Sequence, residues 1–188
     1  YELYDDLSNK MMHVDGRFAP EQHVYSIDEC FLQFDGFIPE VGWEPYGQSI
    51  RRAVWRETRL PVGVGIASTP TLAKAASHAG KRLPGFSRGI AVIDNPMIRE
   101  RVLKQMHTQD VWGVGKRIAA RLAILGIHTA WQLACAAPKA MRKQFSVEIE
   151  RTVRELNNEH CLTWDDERAA KQQIFSTRAF GEKITDLM

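Results

Sequence analysis

The sequence predicts an α+β domain followed by an all-helical domain, and three features of the chain lead to this prediction. Up to residue 93, runs rich in β-branched and aromatic residues alternate with runs of helical periodicity. From residue 95 to about residue 156, helical signals continue without a convincing strand. The following stretch, 163–173, is polar and resembles a linker. These changes predict domain boundaries near residues 94 and 164.

The first elements are predicted to be a helix, a hairpin and a second helix. Apolar residues recur at every fourth position from Leu3 to Met11, which predicts a helix over the first fifteen residues. The segments 23–27 and 30–34 have the composition of strands, and two acidic residues separate them. A second helix is predicted to begin near Pro45, because proline is tolerated in a first turn. Its buried face would comprise Tyr46, Ile50, Ala53 and Val54.

Two more strands and another helix complete the α+β part. A strand is predicted over 60–66, where the glycines indicate a close approach of another backbone. A helix over 70–82 follows Thr69, which is a typical N-cap residue. A strand over 89–93 comes next, and Asn95 is predicted to cap the first helix of the all-helical part.

Charge is distributed unevenly along a chain whose net charge is only +2. Residues 1–50 hold ten acidic and two basic side chains, whereas residues 74–122 hold ten basic and three acidic ones. An acidic block followed by a basic block suits a protein that handles both metal cations and a polyanion. A solvated surface can show the same asymmetry by chance.

The composition disfavours several classes of protein. The three cysteines lie far apart without a Cys-x-x-Cys pair, which disfavours a disulfide framework or a zinc knuckle and fits a reducing compartment. The six histidines form no i, i+4 pair, which disfavours a zinc hydrolase. The sequence contains neither a Gly-x-Ser-x-Gly elbow nor a Walker loop. Its apolar stretches fall far short of the ~20 residues of a membrane helix.

Two adjacent carboxylates, Asp28 and Glu29, interrupt an otherwise apolar, strand-forming segment. Burying a charge without a partner is costly, so the pair needs water or a counter-ion. Neighbouring side chains on a regular strand point to opposite faces, so both can reach one ion only at a hairpin end or an irregularity. Their oxygens suit Mg²⁺, which also takes water and phosphate ligands. The alternative is an exposed hairpin turn, where Asp is common.

A second motif places two glycines before two basic residues. Gly113 and Gly115 open a predicted helix, and Lys116 and Arg117 follow at once. This pattern suits the hairpin of a helix–hairpin–helix element, in which a phosphate approaches backbone N–H groups at an electropositive helix end. Such contacts hold a nucleic acid without reading its sequence. A tight turn with solvated basic side chains is the alternative.

A third motif is a stripe of cationic or titratable side chains on one predicted helix. Lys74, His78 and Lys81 are spaced i, i+4 and i+7, so they share one helical face. Cations beside a carboxylate site could hold a triphosphate. A solvated basic face is the alternative.

Together these motifs resemble those of Y-family (translesion) DNA polymerases. The resemblance covers Tyr-Ser-Ile-Asp-Glu at 25–29, the run 62–74 that begins Val-Gly-Val-Gly-Ile and ends at Lys74, and Val-Trp-Gly-Val-Gly at 111–115. It also covers Lys81, which precedes a Gly-Ile-x-Val-Ile strand at 89–93. The segments 150–156 and 176–186 resemble the UmuC-like subgroup, the relatives of the catalytic subunit of DNA polymerase V. The matching motifs occur in order over essentially the whole chain.

The resemblance implies three structural units. Residues 1–94 would form most of an α+β palm, with an antiparallel or mixed sheet and helices on one face. Residues 95–164 would form an all-α thumb that contains the helix–hairpin–helix. Residues 165–188 would form a linker and the first strand of a little-finger domain, beginning near residue 174.

The resemblance also implies roles for particular residues. Asp28 and Glu29 would be catalytic ligands of Mg²⁺, with two ions in the complete family site, and Lys81 would contact the incoming triphosphate. The residues that grip the DNA backbone would be Gly113, Gly115, Lys116 and Arg117. The implied partners are primer–template DNA and deoxynucleoside triphosphates, together with accessory polymerase subunits and a sliding clamp. The implied setting is damage bypass in the SOS response of a bacterial cytoplasm, close to the nucleoid.

The sequence also departs from the family pattern. The family's palm begins with a strand that carries a third metal-binding Asp, and no match to that strand or to the fingers is found from Tyr1 onward. The chain is therefore expected to be an internal fragment that does not extend a primer alone. Two alternatives stay open: a non-catalytic DNA-binding remnant, and a nucleotide cyclase-like palm, which leaves the helix–hairpin–helix unexplained.

Overall fold

A computed structural model of the protein describes residues 2–86 and 89–162. The fold of these residues is mixed α/β and mostly helical, as the sequence predicts. Short 3₁₀ turns follow the first and the fourth helix. The helices and strands are α1 (Glu2–Asp15), β1 (Glu21–Ser26), β2 (Glu29–Gln33), α2 (Trp43–Thr58), β3 (Val64–Ala67), α3 (Pro70–Arg82), β4 (Ile90–Ile93), α4 (Pro96–Gln105), α5 (Lys116–Ile124), α6 (Ala130–Ala134), α7 (Pro138–Gln144) and α8 (Val147–Glu155).

The predicted helix starts are confirmed by their caps. The side chain of Thr69 accepts a hydrogen bond from the backbone N–H of Leu72 at 3.3 Å. The side chain of Asn95 likewise accepts one from Ile98 at 2.9 Å, and proline occupies the first turn of both helices. These bonds satisfy N–H groups that have no partner within the helix.

The strands form two separate two-stranded sheets among the described residues. β1 and β2 make an antiparallel hairpin, whereas β3 and β4 pair in parallel through the crossover helix α3. The third strand is shorter than predicted, since it covers 64–67 instead of 60–66. Its length matches that of its partner β4, because the first pair of residues is Val64 with Ile90 and the last is Ala67 with Ile93.

Glycine allows the crossover helix to lie directly on this parallel pair. A Cβ atom added to Gly65 would overlap the backbone of Ala73 and Ser77 in α3. A Cβ atom added to Gly80 would lie 2.8 Å from the carbonyl carbon of Ile90 in β4. The sequence prediction of a close backbone approach in this strand is therefore confirmed.

Two apolar clusters form the core. One joins α1 to α2 and consists of Met11, Met12, Val14, Ile50, Ala53 and Val54. The other extends from α3 to α8, and it includes Ile93 of β4 together with Val102 of α4. Packing therefore continues across residue 94, and the division into domains at 94 and 164 stays a prediction. The predicted linker and little-finger strand lie outside the described residues.

Within the described ranges, no helix combines the length and the apolar composition that crossing a membrane requires.

Candidate functional site

The two adjacent carboxylates lie at the end of the β1–β2 hairpin. Asp28 belongs to the turn, and Glu29 is the first residue of β2. The strand register shifts there, because Val24 pairs with Cys30 and Ser26 pairs with Glu29. Tyr25 is thereby left as an extra, bulged residue, and a bulge redirects the side chains around it. The hairpin end and the irregularity predicted for the carboxylate pair are both present.

Each carboxylate has a different neighbour. Asp28 is exposed, and its Oδ1 accepts a hydrogen bond from Ser26 Oγ at 2.7 Å. Glu29 is partly buried, and its Oε2 lies 2.6 Å from Nζ of Lys74 in α3. This ion pair supplies the counter-ion that a partly buried carboxylate requires.

Asp28 and Glu29 both line one cavity of about 920 Å³. β2 and β3 form its walls, since residues 28–35 and 60–69 line it continuously. Each of these strands pairs along only one edge among the described residues. The cavity therefore separates two sheets whose facing strands have unpaired edges.

The helix α3 brings cations to the same cavity. Lys74 and Lys81 line it, whereas His78 is not among its lining residues. The exposed Lys81 passes over Gly63, where an added Cβ atom would overlap the lysine side chain. Burial lowers the pKa of His78, and the nearby Asp110 partly opposes this effect. Of the predicted stripe, the structure thus brings the two lysines to the cavity that the carboxylates line, and Lys74 contacts Glu29 there.

The contact of Lys74 with Glu29 was not predicted from the sequence. The two residues are 45 positions apart, so no local pattern pairs them. The signal that the sequence did contain was the i, i+7 spacing of Lys74 and Lys81.

The glycine motif lies in the turn that precedes α5. Gly113 has φ of +83°, a conformation that strongly favours glycine. Gly115 is the N-cap residue, and no side chain caps the helix there. None of the described residues lies within 4 Å of a Cβ atom added to Gly115, so the space beside this residue is open. Lys116 and Arg117 are exposed in the first turn of α5, and the helix–hairpin–helix assignment stays a prediction.

A buried carboxylate, that of Asp15, also lines the cavity. It is only 8% exposed at the end of α1, and the Sγ of Cys30 lies 3.7 Å from its Oδ2. Burial raises the pKa of Asp15 to about 6. Burial also raises the pKa of the Cys30 thiol to about 11, so this cysteine is a poor nucleophile at neutral pH.

Asp15 is expected to make stability depend on pH. The folded protein holds the Asp15 proton up to about pH 6, whereas an unfolded chain releases it near its ordinary value of 3.8. The free energy of unfolding should therefore fall as pH rises from 4 to 6, by about 2–3 kcal/mol for a shift of this size. Asp15→Asn should remove this dependence and stabilise the protein at pH 7.

Urea unfolding of both proteins between pH 4 and 7 measures this effect, with the exposed Asp35→Asn as the control. A difference between wild type and Asp15→Asn that stays constant with pH would contradict the expectation.

The donor set of the hairpin fits a hard divalent ion. Asp28 and Glu29 supply carboxylate oxygens at one cavity, and Mg²⁺ is commonly bound by one or two carboxylates with water and substrate phosphates. Residues 2–86 and 89–162 contain no group of three or more His, Cys, Asp or Glu arranged to hold a metal.

Comparison with known proteins shows which family the chain resembles. The model of the impB/mucB/samB family matches residues 1–78. Protein UmuC of Salmonella typhimurium is 43% identical over 186 residues, and protein ImpB of the same species is 45% identical over 189 residues. The chain is similar to the impB/mucB/samB family over residues 1–78, and to UmuC and ImpB over nearly its whole length. The resemblance to the UmuC-like subgroup of the Y-family polymerases is thereby confirmed.

The family likeness covers nearly the whole chain but only part of each relative. The alignments include 99% of this chain and 44% of UmuC and of ImpB. The chain thus spans less than half the length of these curated relatives.

A solved structure shows the same fold. The insertion ternary complex of Dbh DNA polymerase matches with a TM-score of 0.68 at 22% identity. The match covers 86% of this chain and 46% of the Dbh chain. At this identity the likeness concerns the fold alone.

Proposed function

We propose that this chain provides the palm and thumb of an error-prone DNA polymerase that performs template-directed nucleotidyl transfer in damage bypass. The observation that carries the proposal is the convergence of Asp28, Glu29, Lys74 and Lys81 on one cavity. Phosphoryl transfer depends on positioning and on charge neutralisation, for which carboxylates that hold a metal and nearby cations are the required groups. The similarity to UmuC and ImpB supports the same reaction.

Asp28 and Glu29 would hold Mg²⁺, which neutralises charge on the triphosphate and lowers the pKa of the attacking 3′-hydroxyl. Lys81 is proposed to bind the triphosphate, because it extends along the wall of the same cavity. Lys74 balances the charge of Glu29 in this structure. The cavity between the unpaired edges of β2 and β3 offers a place for the additional strand, with its third carboxylate, that the family resemblance implies.

The proposed DNA surface is the turn that precedes α5. The backbone N–H groups of its first turn lack a side-chain cap, and the space beside Gly115 is open. An electropositive helix end with Lys116 and Arg117 beside it is a suitable site for a backbone phosphate. Primer–template DNA and deoxynucleoside triphosphates are the proposed partners. Contact with accessory polymerase subunits or a sliding clamp stays a prediction.

Changing Lys116 and Arg117 to alanine is expected to flatten the salt dependence of DNA binding. Each lost phosphate contact should reduce the slope of log K against log salt by about 0.9 on duplex DNA, so the pair should reduce it by about 1.8. Fluorescence anisotropy with a labelled duplex between about 50 and 200 mM salt measures the slope.

The control for this measurement removes two exposed lysines of α7, Lys139 and Lys143, and keeps the change in net charge equal. If both double variants change the slope equally, or neither changes it, the DNA surface lies elsewhere.

A non-catalytic DNA-binding protein is the second candidate. The DNA surface in front of α5 requires none of the carboxylates, so it could act without a metal site. Primer extension by a longer polymerase that contains this chain separates the two candidates. Only the polymerase candidate requires that extension depend on Asp28.

A further inference from the structure

A cluster of three aromatic side chains joins the carboxylate hairpin to the loop before α5. We call Tyr25, Phe31 and Trp112 the aromatic cluster. The distance between ring centroids is 5.4 Å for Trp112 and Tyr25, and 5.5 Å for Trp112 and Phe31. The ring centroids of Tyr25 and Phe31 are 6.0 Å apart. The Nε1 of Trp112 also donates a hydrogen bond to the hydroxyl of Tyr25 at 3.2 Å. The two segments are 87 positions apart in the chain.

The cluster contacts both halves of the proposed site. Trp112 immediately precedes Gly113 in the loop 111–115, which is proposed to bind the DNA backbone. Tyr25 is the bulged residue beside the carboxylates, and the ammonium of Lys74 lies 5.6 Å from the centroid of its ring. The same ammonium lies 2.6 Å from Glu29. A continuous path of contacts therefore runs from the loop to Glu29.

The two faces of β2 have different supports. Cys30 and Leu32 pack against the core formed by α1 and α2. Phe31, on the opposite face, packs against Trp112. The loop before α5 thus supports the face of the hairpin that the core leaves uncovered.

We propose that Trp112 is a positioning residue that couples the DNA-binding loop to the carboxylate hairpin. DNA bound at the loop stabilises the position of Trp112, and through Tyr25 and Phe31 it stabilises the hairpin that carries Asp28 and Glu29. By thermodynamic reciprocity, an ordered hairpin strengthens DNA binding at the loop by the same factor. This inference rests on the proposed function, since it assumes that the loop binds DNA.

Amide hydrogen exchange of the 188-residue chain, with and without a short duplex DNA, tests the coupling. DNA should slow exchange in the loop 111–117 and also, by about fivefold or more, in the hairpin segment 24–30, which corresponds to the lower end of typical allosteric coupling. Trp112→Ala should abolish the slowing in the hairpin and leave that in the loop. Trp112→Phe should retain most of it, because an aromatic ring still packs against Phe31.

Two controls separate coupling from a general loss of structure. Trp55→Ala removes an exposed tryptophan of α2 whose ring lies near Arg59. It should leave the slowing of exchange intact in both the loop and the hairpin. Thermal unfolding shows whether Trp112→Ala remains folded; if it does not, the comparison of Trp112→Phe and Tyr25→Phe with wild type decides. Trp112→Phe and Tyr25→Phe each remove the hydrogen bond between Trp112 and Tyr25. The double variant should therefore reduce the DNA-dependent slowing of exchange in the hairpin no further than either single variant does.

The outcomes distinguish this inference from the proposed function. If DNA slows exchange in neither segment, the proposed DNA surface is wrong and the coupling with it. If DNA protects the loop but not the hairpin, only the coupling is wrong. Hairpin protection that survives in Trp112→Ala would also overturn it, because the DNA would then contact the hairpin directly.

Discussion

Asp28→Ala is expected to reduce primer extension about 1,000-fold or more in a chimera that carries this chain within a longer relative. The chimera replaces the matching 44% of Salmonella typhimurium UmuC with residues 1–188. Asp28 is exposed at the hairpin end, and its Oδ1 accepts a hydrogen bond from Ser26. Within residues 2–86 and 89–162 no cationic side chain pairs with it, so a metal ion can reach this carboxylate. A metal contributes several kcal/mol to the stabilisation of charge in such reactions, and each 1.36 kcal/mol changes the rate tenfold.

The measurement is the rate of nucleotide addition, with the unsubstituted chimera as the reference. The matched control is Asp6→Ala, which removes an exposed carboxylate of α1 that does not line the cavity and should change the rate less than about twofold. Binding of Mn²⁺ to the 188-residue chain, followed by electron paramagnetic resonance, gives a second readout and should weaken in Asp28→Ala only. An active chimera whose rate Asp28→Ala leaves unchanged would exclude Asp28 as a metal ligand.

Residues 1–188 alone are expected not to extend a primer. Among the residues that the structure describes, no third carboxylate joins Asp28 and Glu29 in a metal site. Hard cations release water reluctantly, and two carboxylates would leave most of the shell to water. Metal-dependent extension by the purified chain that Asp28→Ala abolishes would show that this expectation is wrong.

Local features of the fold could be predicted from the sequence because local interactions determine them. The helix α3 begins at Pro70 as predicted, since Thr69 caps it through a bond to a residue three positions away. The turn at Asp28 was predicted because acidic residues interrupt a run of strand formers. Both cases depend on chemistry within a few residues of the chain.

Long-range pairing could not be predicted in the same way. Which edge of β3 pairs, and over what length, depends on its partner β4 more than 20 residues later. The ion pair of Lys74 with Glu29 and the bond of Trp112 to Tyr25 join segments 45 and 87 positions apart. The sequence motifs contained these residues, but only the tertiary structure brings them together.

A buried carboxylate that the sequence did not single out is central to the stability of the helical part. Glu155, at the end of α8, is completely buried. Its Oε2 accepts hydrogen bonds from the backbone N–H and the hydroxyl of Thr71, at 2.9 and 2.6 Å. Its Oε1 accepts bonds from the backbone N–H groups of Cys161 and Leu162, at 3.2 and 3.0 Å. Glu155 therefore connects the N-terminus of α3 to α8 and to the segment that follows it.

Glu155→Ala is expected to lower the free energy of unfolding by about 3–5 kcal/mol, because four donors lose their acceptor in a buried setting. A loss of this size is a large fraction of the stability of an ordinary domain. Urea unfolding should show a lower midpoint with an unchanged m value. Glu155→Gln should cost less, since its amide oxygen still accepts from one pair of donors. Glu159→Ala, which removes an exposed partner of Arg154, is the control and should cost under about 1 kcal/mol. If Glu155→Ala costs no more than this control, the donors have found other acceptors and Glu155 does not hold α3 and α8 together.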